Sequence, residues 1–140
     1  MTKRVIIVED NEMTMEIYKI IFNKYIPSVE IEYINNAEDG LERVTRNNFD
    51  LLITDYNLKN DKINGMDIAR LAYPLGKPIL LASCHRFLPR LTLWLKYWDM
   101  WSRIKFIDKP FKMKQMVKDI KEQLKKETIP LDQMFHKLVP

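Results

Sequence analysis

The sequence predicts a doubly wound α/β fold, an open five-stranded parallel sheet with helices on both faces. Three observations predict it. Five short apolar runs of strand length punctuate the chain, segments with helical periodicity alternate with them, and 140 residues suit one ordinary domain with a single core. Parallel neighbours need crossover connections, and those are right-handed, which places helices on both sheet faces. In such sheets ligands bind at the carboxyl ends of the strands, where the winding reverses. The strand ends are therefore where function is sought.

The elements follow in order. "RVIIV" (4–8) reads as a buried strand, and "NEMTMEIYKIIFNKY" (11–25) as a helix with Met13, Ile17, Ile20 and Ile21 on its inward face, stopped by Pro27. "EIEYI" (30–34) alternates as a second strand, and residues 36–47 form a helix that turns Ala37, Leu41 and Val44 inward. "FDLLIT" (49–54) is a third strand, followed by the loop "YNLKNDKIN" and a short helix near 65–73. "KPILLAS" (77–83) is the fourth strand, and residues 87–101 contain a helix starting at or near Pro89. "RIKFID" (103–108) is the fifth strand. A last helix over 112–127 faces the core with Met113, Met116, Val117, Ile120 and Leu124, and residues 128–140 form a tail or linker stub beyond the domain of residues 1–127.

Composition is that of a soluble globular protein, 46% hydrophobic and 30% charged, without repeats or low-complexity stretches. Only four apolar residues precede Glu9 and Asp10 after the basic start, too few for a signal peptide, and no run reaches membrane-spanning length. A single cysteine, Cys84, excludes an internal disulfide and fits a reducing compartment, so cytoplasm is the default. Charge is uneven: residues 1–84 carry 10 Lys+Arg against 13 Asp+Glu, residues 85–127 carry 12 against 5. The basic half suits either nucleic acid or an acidic protein surface, but a solvated lysine-rich face is the favoured reading.

The first strand ends in Glu9 and Asp10, the third in Asp55, the fourth in Ser83, and the fifth runs through Asp108 to Lys109. Three carboxylates gathered at one edge repel, each pair at about 5 Å by roughly 3 kcal/mol at an effective dielectric near 20. A hard divalent cation offsets this, and Mg²⁺ takes one or two carboxylates while keeping waters and a phosphate oxygen. A carboxylate beside Mg²⁺, with an ammonium and a hydroxyl aimed at the same point, can attack a phosphoryl group. Asp55 is then the nucleophile, with Asp10 on the metal directly and Glu9 directly or through water. The backbone carbonyl of Asn57 offers another ligand, and Ser83 and Lys109 grip the phosphoryl oxygens.

"VIIVEDNE", "FDLLITDYNL", "LLAS" and "FIDKPF" resemble the four signature segments of the receiver domain of two-component response regulators, over residues 3 to about 127. The resemblance implies a flavodoxin-like strand order 2-1-3-4-5. It also implies phosphorylation of Asp55 by a sensor histidine kinase or phosphotransfer protein, Mg²⁺ at Asp10 and Glu9, and Ser83 and Lys109 as readers of the modification. Phe106 falls at the family's switch aromatic, and the Lys109–Pro110 bond is expected to be cis. On phosphorylation Ser83 turns inward and Phe106 follows, remodelling the face of the helix within 87–101, the fifth strand and the last helix. That face would meet a downstream effector or a second copy in a homodimer. Direct nucleic-acid binding and membrane contact are not expected.

The sequence departs from the family pattern in places. The family's proline four residues after the acceptor is Lys59 here, and Gly65 comes late, which predicts a longer and less restrained loop. Ser83 and Lys109 are 26 positions apart, more than usual, with Trp94, Trp98 and Trp101 between them as core residues or a partner surface. His85 is either a tuner of phosphate loss or, by preference, a plain surface residue. Leu131, Met134, Phe135 and Leu138 give the tail helical spacing, with His136 solvated. Two rival functions remain. A haloacid-dehalogenase-type phosphatase needs a general acid where Asn57 stands, and a receiver-like interaction module without phosphorylation leaves the complete set of site residues unexplained.

Overall fold

The computed structural model describes residues 2–84 and 103–126. Strands β1 (Arg4–Val8), β2 (Glu30–Ile34), β3 (Leu51–Asp55), β4 (Ile79–Ser83) and β5 (Ile104–Asp108) form one parallel sheet in the order β2-β1-β3-β4-β5. The helices are α1 (Glu12–Tyr25), α2 (Ala37–Thr45), α3 (Gly65–Ala72) and α4 (Met113–Leu124), with a 3₁₀ turn at Tyr73–Leu75. The chain leaves β1 toward β2 on one side and reaches β3 on the other. Its winding therefore reverses between β1 and β3, and Glu9, Asp10 and Asp55 lie at that point. The helix expected within 87–101, with its tryptophans and the neighbouring His85, and the tail lie outside the described residues.

The central strands bury both faces, so their apolar runs are continuous and divide between two cores. Ile6, Val8, Leu52, Ile79 and Leu81 pack with α2 and α3, through Val44, Met66, Ile68 and Ala69. Val5, Ile7, Leu51, Ile53, Leu80, Ala82 and Ile107 pack with α1 and α4, through Tyr18, Ile21, Phe22, Met116 and Ile120. Each of the first three helices starts on an asparagine whose side chain accepts from a backbone N–H of the first turn: Asn11 from Thr14, Asn36 from Asp39, Asn64 from Asp67.

Two helix faces differ from expectation. In α1, Met13 is 79% and Ile20 53% exposed, whereas Met15, Tyr18, Ile21 and Phe22 are buried. Two apolar stripes overlap at Ile21, and the sheet takes the one with the larger aromatic volume, about a third of a turn away from the expected one. In α4, Met113 is exposed while Asp119 and Gln123 are buried. The helix expected over 36–47 ends at Thr45 because Asn47 and Asn48 take left-handed backbone conformations. Arg43 closes that end from inside, donating to the Asn47 and Asn48 carbonyls at 2.6 and 3.2 Å and pairing with Glu32 at 2.7 Å.

Candidate functional site

The carboxyl ends of β1, β3, β4 and β5 bring together most of the residues singled out in the sequence. Glu9 is anchored through its N–H to the Ile34 carbonyl, and the Tyr56 N–H to the Ala82 carbonyl, so the acids leave the sheet in fixed directions. Glu9 is 1% and Asp55 6% exposed, and oxygens of Glu9, Asp10 and Asp55 lie within 4.8 Å of one another. Ser83 is buried one residue past the β3–β4 pair Asp55–Ala82, and its carbonyl accepts from the Lys109 N–H at 3.0 Å. The Lys109–Pro110 bond is cis, as expected.

Lys109 carries the compensating charge. Its Nζ lies 3.2 Å from both Glu9 carboxylate oxygens and 3.2 Å from Asp55 Oδ2. One ammonium does not neutralise two buried carboxylates. Burial first, and the Asp55 charge second, push the Glu9 carboxyl up to about 7 against the pull of Lys109. Burial also raises Asp55, opposed by Lys109 and by a hydrogen bond from the Asn57 backbone amide. The residual negative charge favours a further cation at these acids.

An all-oxygen donor set of three carboxylates, partly dehydrated and under-compensated, suits a hard cation such as Mg²⁺ better than a soft one. The residues present thus fit the metal. Beside the buried Glu9, the half-buried Asp10 opens onto a groove of about 650 Å³ walled by α1 and by Tyr33, Asn35 and Asp39, which leaves Asp10 accessible from solvent. Phe106 sits half-buried against the α2–α3 side of the core, in register with Leu81 of β4.

The sequence matches the response regulator receiver domain family over residues 5–121. The chain belongs to that family. Solved receiver domains share its fold: a response regulator receiver domain protein from Methanospirillum hungatei JF-1 superposes with a TM-score of 0.71 at 23% identity, covering 89% of this chain and 94% of that one. A receiver protein from Sinorhizobium medicae WSM419 gives 0.71 at 15% identity, with 88% and 94% covered. A receiver domain from Clostridium thermocellum gives 0.68 at 20%, with 87% and 94% covered. The comparison with curated proteins returns no match. Among the described residues no helix is long and apolar enough to cross a membrane.

Within this receiver domain three features escaped the sequence. The first is the loop after β3, expected to be slack. Leu58 is buried in the core, Asn60 accepts from the Lys62 and Ile63 amides at 2.8 Å, and the Gly65 N–H donates to the Tyr56 carbonyl at 2.9 Å. The second is Gly65 itself, where a Cβ would lie 2.0 Å from the Asp55 carbonyl oxygen. A lone glycine opening a helix was the available signal. The third is Tyr18, fully buried with no hydrogen-bond partner for its hydroxyl, its ring 5.3 Å from that of Phe111. Its helical periodicity read equally well as solvent-facing.

Proposed function

We propose that this receiver domain accepts a phosphoryl group on Asp55 from a phosphohistidine donor, a sensor kinase or a phosphotransfer protein, and relays that state to an effector. The observation that carries the reading is Lys109 Nζ at 3.2 Å from Asp55 within a cluster that also holds Glu9 and Asp10. Asp10 and Asp55, with Glu9 directly or through water and the Asn57 carbonyl, would hold Mg²⁺. When bound, the ion neutralises charge on the phosphoryl oxygens and on the carboxylates around them.

The chain's own residues do the rest. A carboxylate oxygen of Asp55 attacks phosphorus, a P–O bond forms as the donor's N–P bond breaks, and the imidazole leaves with the electron pair and takes up a proton. Lys109, already paired with Asp55, stays beside the incoming oxygens and stabilises their charge. Ser83, on the adjacent strand end, donates its hydroxyl to a phosphoryl oxygen. Phe106 follows it into the vacated space, changing the face that β5 and α4 present. Downstream effectors, or a second copy, read that face. The single cysteine supports a cytoplasmic setting.

The test is intact-mass measurement after incubation with acetyl phosphate and Mg²⁺. Wild type should gain one phosphoryl group, a gain lost in Asp55→Asn and in chelator. Repeated turnover of phosphate esters would point to a phosphatase instead, and an unchanged mass in every condition to a module that binds without phosphorylation.

A further inference from the structure

We propose that the backbone amide of Lys59 is a positioning group that holds the Asp10 carboxylate ready for a divalent cation. The inference rests on the reading that Asp10 serves Mg²⁺. The Lys59 N–H donates to Asp10 Oδ2, a contact that joins the loop after β3 to the turn after β1. Among the described residues no other member of that loop donates to Asp10, and the side chain of Lys59 takes no part in the contact.

The amide is held in place on both sides. Before it, Leu58 is buried among Met66, Ile68 and Ala69. After it, the Asn60 N–H donates to the Leu58 carbonyl at 2.7 Å, and the Asn60 side chain donates to Glu38 of α2 at 3.1 Å. The same side chain accepts from the Lys62 and Ile63 amides. A loop of this length, fastened to the core, to α2 and to its own turn, presents one N–H at a fixed place.

A carboxylate has about four lone-pair sites, so Asp10 can accept this bond and ligate a cation at the same time. The bond then persists in both the metal-free and metal-bound forms, and its own strength largely cancels between them. What does not cancel is the orientation of Asp10, settled before the ion arrives rather than on its arrival. The neutral amide also eases the repulsion among three close carboxylates without occupying the place of the ion. The residue type matters only through the N–H: a proline at 59, the residue the family resemblance expects there, has none to give. This contact is thus available to this chain because it departs from the family pattern.

The test is a Mg²⁺ titration of the full chain, read by calorimetry, on wild type, Lys59→Ala and Lys59→Pro. Lys59→Ala keeps the amide and should bind within about twofold of wild type; Lys59→Pro should bind about 3- to 10-fold more weakly. Equal affinities for wild type and Lys59→Pro, or an equal loss in Lys59→Ala, overturn the inference alone. Wild type that binds no Mg²⁺ overturns the reading beneath it as well. Should Lys59→Pro fail to fold, amide hydrogen exchange decides. The Lys59 amide should exchange at least tenfold more slowly than in Asp10→Ala, and equal rates overturn the inference.

Discussion

Glu9 makes the metal-free protein lose stability as pH rises across the weakly acidic range. Its carboxyl is pushed from 4.5 up to about 7 in the folded protein. Between those values the folded chain keeps a proton that the unfolded chain has released, so stability is complete below pH 4.5 and falls as pH rises through 7. A shift of this size, at 1.36 kcal/mol per pH unit, corresponds to about 3 kcal/mol. Asp55, also raised, adds a loss of the same sign. Glu9→Gln isolates the first contribution, because a neutral amide cannot titrate. Urea denaturation in chelator, followed by circular dichroism at pH 4.5, 5.5, 7 and 8, should show Glu9→Gln gaining on wild type by about 3 kcal/mol between the lowest and highest pH. If Mg²⁺ is held by the ionised acids of the folded state, as proposed, saturating Mg²⁺ should shrink that difference. A wild type that gains stability relative to Glu9→Gln over this range would refute the burial argument and its sign.

Other substitutions test the scaffold around the site. Gly65→Ala places a Cβ against the Asp55 carbonyl, a backbone atom that cannot step aside, and should destabilise by about 3 kcal/mol in urea while slowing phosphorylation. Tyr18→Phe removes a buried hydroxyl with no partner and should raise stability by about 1 kcal/mol, visible as a higher denaturation midpoint. Asn64→Ala breaks the capping box of α3, in which Asn64 and Asp67 each accept from the other's backbone, and should cost about 1 kcal/mol by the same assay. Lys109→Met leaves Glu9 and Asp55 without their shared cation and should abolish phosphorylation of Asp55 while raising the pH at which both acids ionise.

The strands and the acids at their ends were legible because a strand buried on both faces writes itself as an unbroken apolar run. "VIIV" and "LLIT" could hardly be anything else, and the carboxylates that follow them stand out by contrast. Helix faces were less legible. In α1 two apolar stripes compete, and the choice of Tyr18 and Phe22 over Met13 and Ile20 is made by the volume left above Ile7 and Ile53, a tertiary quantity. The buried Arg43 was hidden for a related reason: its value lies in the two carbonyls that Asn47 and Asn48 turn inward, and no side-chain pattern encodes those. The Lys59 amide is the limiting case. Every residue but proline has an N–H, so only the folded loop shows which one meets Asp10.

The central claim is that Asp55 itself takes the phosphoryl group. The direct measurement is borohydride reduction of protein treated with acetyl phosphate and Mg²⁺, followed by peptide mapping, which marks the residue bearing an acyl phosphate. The account predicts conversion at Asp55 alone, and none in chelator. Reduction at Glu9 or Asp10, or undiminished labelling in Asp55→Asn, would contradict it.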